Sequence, residues 1–143
     1  MSQSVLCAAD ISNSGDDVEV LIAASRLAAL DNLQLDVITV VPDYGLSIVG
    51  SFFEEGHHDE IVAKARTKLD ALVEKALGKD ANKKVRHIVA TGKVYEEVLK
   101  TAKAADSGLI VVGAHKADIK DYLLGPNAAR IVRHSDCSVY VVR

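Results

Sequence analysis

The stretch that decides the fold is the carboxyl-terminal segment Leu109–Arg143, which reads LIVVGAHKADIKDYLLGPNAARIVRHSDCSVYVVR. It begins with an apolar run that stops at Gly113, and a polar segment then leads to a second glycine, Gly125. A helix-like segment, Pro126–His134, and a β-rich run, Ser138–Val142, close the chain. This order predicts a buried strand, a loop bracketed by two glycines, a helix and a final strand.

The two glycines, one at a strand end and one at a helix start, predict a site for an anion. Glycine lets a ligand approach the backbone closely, and a helix N-terminus offers free N–H groups and a positive dipole end. His115 and Lys116 follow Gly113 and would add donors to phosphate oxygens. A lone glycine is ordinarily a turn residue and a lone loop lysine a solvated charge. Their combination with Gly125 favours a phosphate group, and so a nucleotide.

The composition fits a protein core built with few aromatic residues. The chain has 143 residues, of which 49% are hydrophobic and 26% charged, whereas only 4% are aromatic and tryptophan is absent. Such a core must be built from Val, Leu, Ile and Ala, which suits a parallel sheet covered by helices in one domain spanning residues 1–143. The formal net charge of −3 argues against nucleic acid or an anionic membrane as the main partner.

The lack of leader and membrane-helix patterns, together with the cysteine spacing, favours a soluble protein of the reducing cytoplasm. The first residues, MSQSVLCAAD, lack the basic and long apolar regions of a signal peptide. No apolar run approaches the roughly 20 residues that a membrane helix needs. Cys7 and Cys137 lie in separate apolar runs without CxxC spacing, so we expect two buried thiols and neither a disulfide nor a redox pair.

Short β-like runs alternate with helical periods along the chain. Strands are predicted at Val5–Ala9, Leu35–Val41, Val85–Thr91, Leu109–Val112 and Ser138–Val142. Helices are predicted at Val18–Leu30, Asp59–Leu77, Val94–Ala105 and Asn127–His134. This alternation indicates an α/β fold with a parallel sheet and helices on both of its faces. The stretch Pro42–Gly56 shows no period and is interpreted as an irregular loop, and Gly78 as a helix end.

Ligands of such sheets lie outside the carboxyl ends of the strands, at the point where the strand order reverses. Ala8, Ala9 and Asp10 end the first strand, and the Asp10 carboxylate can accept a hydrogen bond from a ribose hydroxyl or an exocyclic amine. Val40, near the end of the second strand, can offer backbone groups to an adenine edge. The alternatives are that Asp10 caps the following helix and that Val40 is a plain core residue.

The sequence does not support metal binding or classical nucleophilic catalysis. His57–Glu60 is a local cluster of ligand-type residues, but no matching cluster lies elsewhere. We interpret Asp59 and Glu60 as favourable charges at a helix start. His87 and His134 are isolated and are interpreted as surface or hydrogen-bonded core residues. No GxSxG, Walker A, GxGxxG or HExxH pattern occurs, so no catalytic residue and no metal ligand is predicted.

These residues resemble the universal stress protein family. Its nucleotide-binding members carry the pattern Gly-x-x-Gly, nine residues, then Gly-Ser/Thr, and its short bacterial F/G-type members look like (A/G)SHRxDIxxYLLGSNAxxVVRHxxCSVLVVR. Here Gly113 begins the pattern, Gly125 stands near its end, and Lys116 corresponds to the arginine of the F/G-type members. The amino-terminal VLCAADIS, with Asp10, is similar to the first strand of the family, whereas residues 42–84 carry no motif.

The resemblance implies a Rossmann-like, adenine nucleotide alpha hydrolase-like fold whose five-stranded parallel sheet has the order 3-2-1-4-5. It also implies that ATP, with or without Mg²⁺, or ADP or AMP, binds at the strand ends and the start of the last helix. Together with the residues considered above, the candidate contacts are Ala8, Ala9, Asp10, Val40, Gly113, His115, Lys116, Gly125, Pro126, Asn127 and Ala128. A homodimer through Ser138–Val142 is implied as well, and it would cover an apolar edge strand that is otherwise prone to aggregation.

Two departures from the family pattern bear on function. The second glycine is missing, and Pro126 stands where the pattern has Ser or Thr. Proline suits the first helical position, but it lacks an N–H that would point at a phosphate. A lost hydrogen bond to a charged group is worth roughly 1.5–3 kcal/mol, or about tenfold to a hundredfold in affinity. Lys116, the N–H groups of Asn127 and Ala128, and the Asn127 side chain are expected to compensate.

The sequence therefore favours a homodimeric stress-response sensor or regulator that binds ATP and is not a dedicated enzyme. A nucleotide-free member that works only through protein–protein interaction is the alternative, supported by the missing glycine and by Pro126. A slow ATPase is the third hypothesis, with His115 as the one candidate general base.

Overall fold

The computed structural model describes residues 3–11, 17–42, 55–114 and 125–143, and the side chains of 55–58 are left out. The strands are β1 (Ser4–Ala8), β2 (Gln34–Val41), β3 (Arg86–Thr91), β4 (Ser107–Gly113) and β5 (Ser138–Val142). The helices are α1 (Asp17–Leu30), α2 (Glu55–Leu77), α3 (Lys79–Asn82), α4 (Val94–Ala104) and α5 (Pro126–His134). The strands form one parallel sheet of order β3-β2-β1-β4-β5, which confirms the predicted fold class and strand order.

The central strands are apolar on both faces, because helices cover both faces of the sheet. Along β1, Val5 and Cys7 face one side and Leu6 the other, and none of the three is more than 1% exposed. The Val5 side packs against α1 and α2, and the Leu6 side packs against α4 and α5. Two apolar layers therefore hold the sheet, as the Val, Leu, Ile and Ala composition indicated.

The strand order reverses between β1 and β4. After β1 the chain moves outward to β2 and β3, and it then returns to place β4 on the other side of β1. Leu6 is paired with Ile110 and Cys7 with Val111, so the carboxyl ends of β1 and β4 lie side by side. This is the position at which sheets of this kind bind ligands.

The prediction was wrong at two places around the second helix. The helix α2 begins at Glu55, not at Asp59, so Asp59 and Glu60 lie in its second turn, beyond the strongest effect of the dipole. The short helix α3 was not predicted, because four residues are too few to show a period. Gly78, predicted as a helix end, lies between the two helices with a φ of 91°, a value that favours glycine.

The remaining boundaries agree with the prediction to within one or two residues, which is the usual scatter at element ends. Both cysteines are free thiols, but only Cys7 is buried, whereas Cys137 is half-buried. Burial, and secondly the nearby charge of Asp17, raises the pKa of the Cys7 thiol. Among the described residues, no helix is long and apolar enough to cross a membrane.

Candidate functional site

The end of β1 forms one side of the candidate site. The Ala9 N–H donates to the Ile38 carbonyl at 2.8 Å, so the chain stays attached to the sheet after the strand ends. Ala9 is 6% exposed and Ala8 is partly buried, so both side chains belong to the core, and the Ala9 N–H is already used within the sheet. Asp10, which follows, is half-buried, and its N–H donates to the Asp17 carboxylate at the start of α1.

The end of β4 and the start of α5 form the other side. The Ala114 N–H donates to the Val142 carbonyl at 2.8 Å, and the Gly125 N–H donates to the Ala114 carbonyl at 2.5 Å. These two bonds bring the start of α5 directly beside the end of β4. The strand end at Gly113 and the helix start at Gly125 therefore lie together, and the bond itself joins Gly125 to Ala114.

Gly113 lies where a side chain would crowd its neighbours. A Cβ at this position would lie 3.3 Å from Val20 Cγ2 and 3.9 Å from Asp17 Oδ1. The first distance is shorter than an ordinary carbon–carbon contact, so helix α1 itself favours glycine here. Gly113 thus has a packing reason in addition to the proposed close approach of a ligand.

The start of α5 presents backbone donors but no left-handed turn. Gly125 is buried, and its φ of −67° is open to any residue, so its conformation does not require glycine. Pro126 occupies the first turn, and the Ala129 N–H donates back to the Gly125 carbonyl at 2.9 Å. The N–H groups of Asn127 and Ala128 precede that bond, in the turn where a helix leaves its donors without intrahelical partners.

The side chains of that first turn divide between solvent and core. Asn127 is exposed, so its amide is accessible to a ligand. Ala128 is 6% exposed and packs with Ile110 and Ile131, so it can contribute only its N–H. Pro126 is exposed and, as a proline, has no backbone N–H to donate, as the sequence indicated.

Val40 lies near the same edge of the sheet, on the neighbouring strand β2. It pairs with Ala90, and its half-buried side chain packs with the apolar layer under α4 and α5. The core interpretation of Val40 is therefore supported, and it is compatible with a backbone contact to a ligand. His115 and Lys116 lie outside the described residues.

One residue at the site was missed by the sequence analysis. Asp17 is the first residue of α1, its carboxylate accepts a hydrogen bond from the Asp10 N–H, and its Oδ1 lies 3.9 Å from the position that a Cβ would take at Gly113. An aspartate at a predicted helix start was the available signal, but that position is usually explained by helix capping alone.

The histidines with described side chains do not form a metal site. No group of three or more His, Cys, Asp or Glu side chains converges in the part of the chain that the structure describes. His87 Nε2 lies 2.6 Å from Asn82 Oδ1, and Asn82 Nδ2 donates to Asp70 Oδ1 at 2.9 Å. His87 is therefore hydrogen-bonded, as predicted, whereas His134 is exposed near the end of α5.

Comparison with known proteins agrees with the resemblance found in the sequence. The profile described as "Universal stress protein family" matches residues 1–143. The chain belongs to this family. It is 33% identical over 60 residues to universal stress protein G of Shigella flexneri, a match that covers 42% of each chain. It is 29% identical over 92 residues to universal stress protein MJ0577 of Methanocaldococcus jannaschii, covering 64% of this chain and 56% of that one. The matched stretches thus span about half of the length of these relatives.

Solved structures of the family share the whole fold. The MJ0577 structure superposes with a TM-score of 0.78 over 99% of this chain and 96% of that chain, at 22% identity. A universal stress protein of Archaeoglobus fulgidus, solved in complex with dAMP, superposes with a TM-score of 0.66 over 99% of this chain and 98% of that chain, at 19% identity. At these identities the superposition establishes the fold alone.

Proposed function

We propose that this protein binds an adenine nucleotide where β1 and β4 end, and that it acts as a homodimeric stress-response sensor or regulator in the cytoplasm. The observation that carries the proposal is the hydrogen bond from the Gly125 N–H to the Ala114 carbonyl at 2.5 Å. It places the first turn of α5 beside the end of β4, and β4 pairs with β1, the strand that Asp10 follows. The dAMP complex of the Archaeoglobus fulgidus relative supports an adenine ligand for this fold.

In this proposal, different parts of the ligand contact different elements. The Asp10 carboxylate is suited to accept from a ribose hydroxyl, and the backbone at Val40 is suited to the adenine edge. The N–H groups of Asn127 and Ala128 are suited to phosphate oxygens, because they lie at the positive end of α5. ATP is the proposed ligand, with ADP and AMP as related candidates. Where Mg²⁺ accompanies ATP, it would offset phosphate charge.

The direct test is to denature freshly purified protein and to identify released small molecules by mass spectrometry. We expect adenine nucleotide in a substantial fraction of the molecules. In a second measurement, ATP, ADP or AMP added to nucleotide-free protein should raise the melting temperature in proportion to affinity, whereas GTP should raise it much less. Absence of both released nucleotide and any adenine-dependent shift would contradict the proposal.

A nucleotide-free function through protein–protein contacts is the second candidate. Pro126 in the first turn of α5 favours this candidate. Proline has no backbone N–H, so the turn that would hold phosphate has one donor fewer than it would have with another residue at this position. Under this alternative, the released-nucleotide and melting experiments are both negative while the protein remains a dimer.

The proposed dimer contact is the edge strand β5. It is the last strand in the sheet order, so among the described residues one row of its backbone groups is unpaired, and Tyr140 on it is 48% exposed. The Val142 carbonyl accepts a hydrogen bond from the Ala114 N–H, so the backbone groups of Val142 point toward β4. Because alternate residues of a strand direct their backbone groups to opposite sides, the Val141 N–H points to the outer edge.

Val141→Pro is therefore expected to dissociate the dimer, since it removes an outward donor and leaves the pairing with β4 in place. The matched control is Val141→Ala, which loses apolar volume but keeps the N–H and should remain a dimer. Sedimentation velocity measures the result. Equal dimer affinity for the two variants would place the interface elsewhere.

A further inference from the structure

Asp17 links the two sides of the candidate site. Its carboxylate accepts a hydrogen bond from the Asp10 N–H at the end of β1. Its Oδ1 also lies 3.9 Å from the position that a Cβ would take at Gly113, at the end of β4. A single carboxylate is thus held at the strand switch, against the backbone that a nucleotide is proposed to approach.

Asp17 also affects which of two helix starts, that of α1 or that of α5, is available to an anion. It is the first residue of α1, so the positive end of that helix already has a carboxylate of the chain itself beside it. The first turn of α5 contains no acidic residue. A phosphate group is therefore directed to α5 and away from α1.

The charge of Asp17 affects a neighbouring titratable group. It contributes, after burial, to the raised pKa of Cys7 in the middle of β1. The Asp17 carboxylate lies at this boundary, and a phosphate charge brought near Gly113 would be repelled by it more strongly in a partly buried site than in open water.

We infer that Asp17 is a positioning and specificity-determining residue, which fixes the Asp10 backbone and lowers the affinity for a triphosphate more than for a monophosphate or a nucleoside. This inference rests on the proposed function, since it concerns the choice among adenine ligands at that site. Its two parts separate by substitution: an amide keeps the acceptor for the Asp10 N–H and loses the charge, whereas alanine loses both.

The experiment measures dissociation constants of adenosine, AMP and ATP by calorimetry, in EDTA and again with Mg²⁺. For Asp17→Asn in EDTA we expect ATP to bind about tenfold more tightly, AMP about threefold, and adenosine within about twofold of wild type. For Asp17→Ala we expect adenosine to bind about fivefold more weakly, because the Asp10 backbone loses its acceptor. Tighter ATP binding in Asp17→Asn, with adenosine binding unchanged, is the readout that a purely structural role would not give.

The matched control is Glu19→Gln, which removes one negative charge from the same turn of α1 at an exposed position. It should leave all three affinities close to those of wild type. If Asp17→Asn behaves like Glu19→Gln, the inference is overturned. It is also overturned if Asp17→Asn weakens ATP only when Mg²⁺ is present, because Asp17 would then be a ligand of the cation. If neither wild type nor Asp17→Asn binds any of the three compounds, the proposed function itself has failed, and the inference fails with it.

Discussion

The two ends of the parallel sheet are built in opposite ways. At the amino end, polar side chains pair with one another: Arg86 donates two hydrogen bonds to Asp36, at 2.5 and 2.7 Å, and the hydroxyls of Ser4 and Ser107 lie 3.1 Å apart. At the carboxyl end, the contacts between β4 and α5 are made by backbone groups of small residues, such as the Gly125 N–H to the Ala114 carbonyl.

This difference separates contacts that stabilise the fold from groups that the proposed ligand would contact. At the amino end these polar groups form hydrogen bonds with one another. Among the described residues, no buried side-chain N or O lacks a hydrogen-bond partner. At the carboxyl end the first turn of α5 begins beside the end of β4, and its first N–H groups have no intrahelical partner. Substitutions at the two ends should therefore change different quantities.

The largest expected effect is at the amino end. Arg86→Ala should lower the free energy of unfolding by about 3–5 kcal/mol, because Asp36 would remain buried without its partner. The Asp36 side chain is 0% exposed, whereas the Arg86 side chain is 59% exposed, so little of the loss would come from packing. Chemical denaturation measures the change, and the affinity of the remaining folded protein for nucleotide should stay at the wild-type value.

The control for this prediction is the ion pair between Lys79 and Glu74, whose N–O distance is 4.0 Å and whose side chains are 83% and 38% exposed. Lys79→Ala should cost at most about 0.5 kcal/mol, since exposed pairs contribute little. A cost for Arg86→Ala no larger than that of Lys79→Ala would mean that Asp36 reaches solvent or another partner when Arg86 is lost.

The second expected effect is at the carboxyl end. Gly113→Ala should weaken nucleotide binding by about tenfold to a hundredfold, because the new methyl group blocks approach to the backbone and costs at least one hydrogen bond to the phosphate. It should also destabilise the fold by about 1–2 kcal/mol, since Val20 Cγ2 would lie 3.3 Å from the new atom. Titration calorimetry and chemical denaturation measure the two changes.

Gly78→Ala is the matched control for Gly113→Ala. A Cβ at Gly78 meets nothing within 4 Å, but its φ of +91° makes any side chain strained, at a cost of about 1–2 kcal/mol. The two variants should therefore lose similar stability, and only Gly113→Ala should lose affinity. Equal affinity in both would show that Gly113 is required for packing against α1 and not for a ligand.

Most of the fold could be predicted because its signals are local. The apolar runs of the strands and the periods of the long helices are contained in short windows, and the strand boundaries were predicted to within two residues. The start of α2 failed because Gly56, His57 and His58 carry no apolar period. The helix α3 failed because its length gives no period to detect.

The geometry of the candidate site was predicted only in part, because the contacts that shape it join residues far apart in the sequence. The rule that ligands bind at strand ends was enough to choose Asp10 and Gly113. It could not show that Gly113 packs against Val20, nor that Asp17 accepts a hydrogen bond from the backbone of β1. A glycine pattern in the sequence does not distinguish close packing from close approach of a ligand.

The smallest expected effect concerns the proline in the first turn of α5. Pro126→Ser restores a backbone N–H and the hydroxyl of the family pattern, so ATP should bind about tenfold more tightly. Pro126→Ala restores the N–H alone, and the difference between the two variants in ATP affinity gives the contribution of the hydroxyl. Adenosine affinity should be unchanged in both, because the added donors lie where phosphate is proposed to bind. If ATP affinity is also unchanged in both, phosphate does not contact this turn, and the carboxyl end of the sheet differs from the amino end in packing alone.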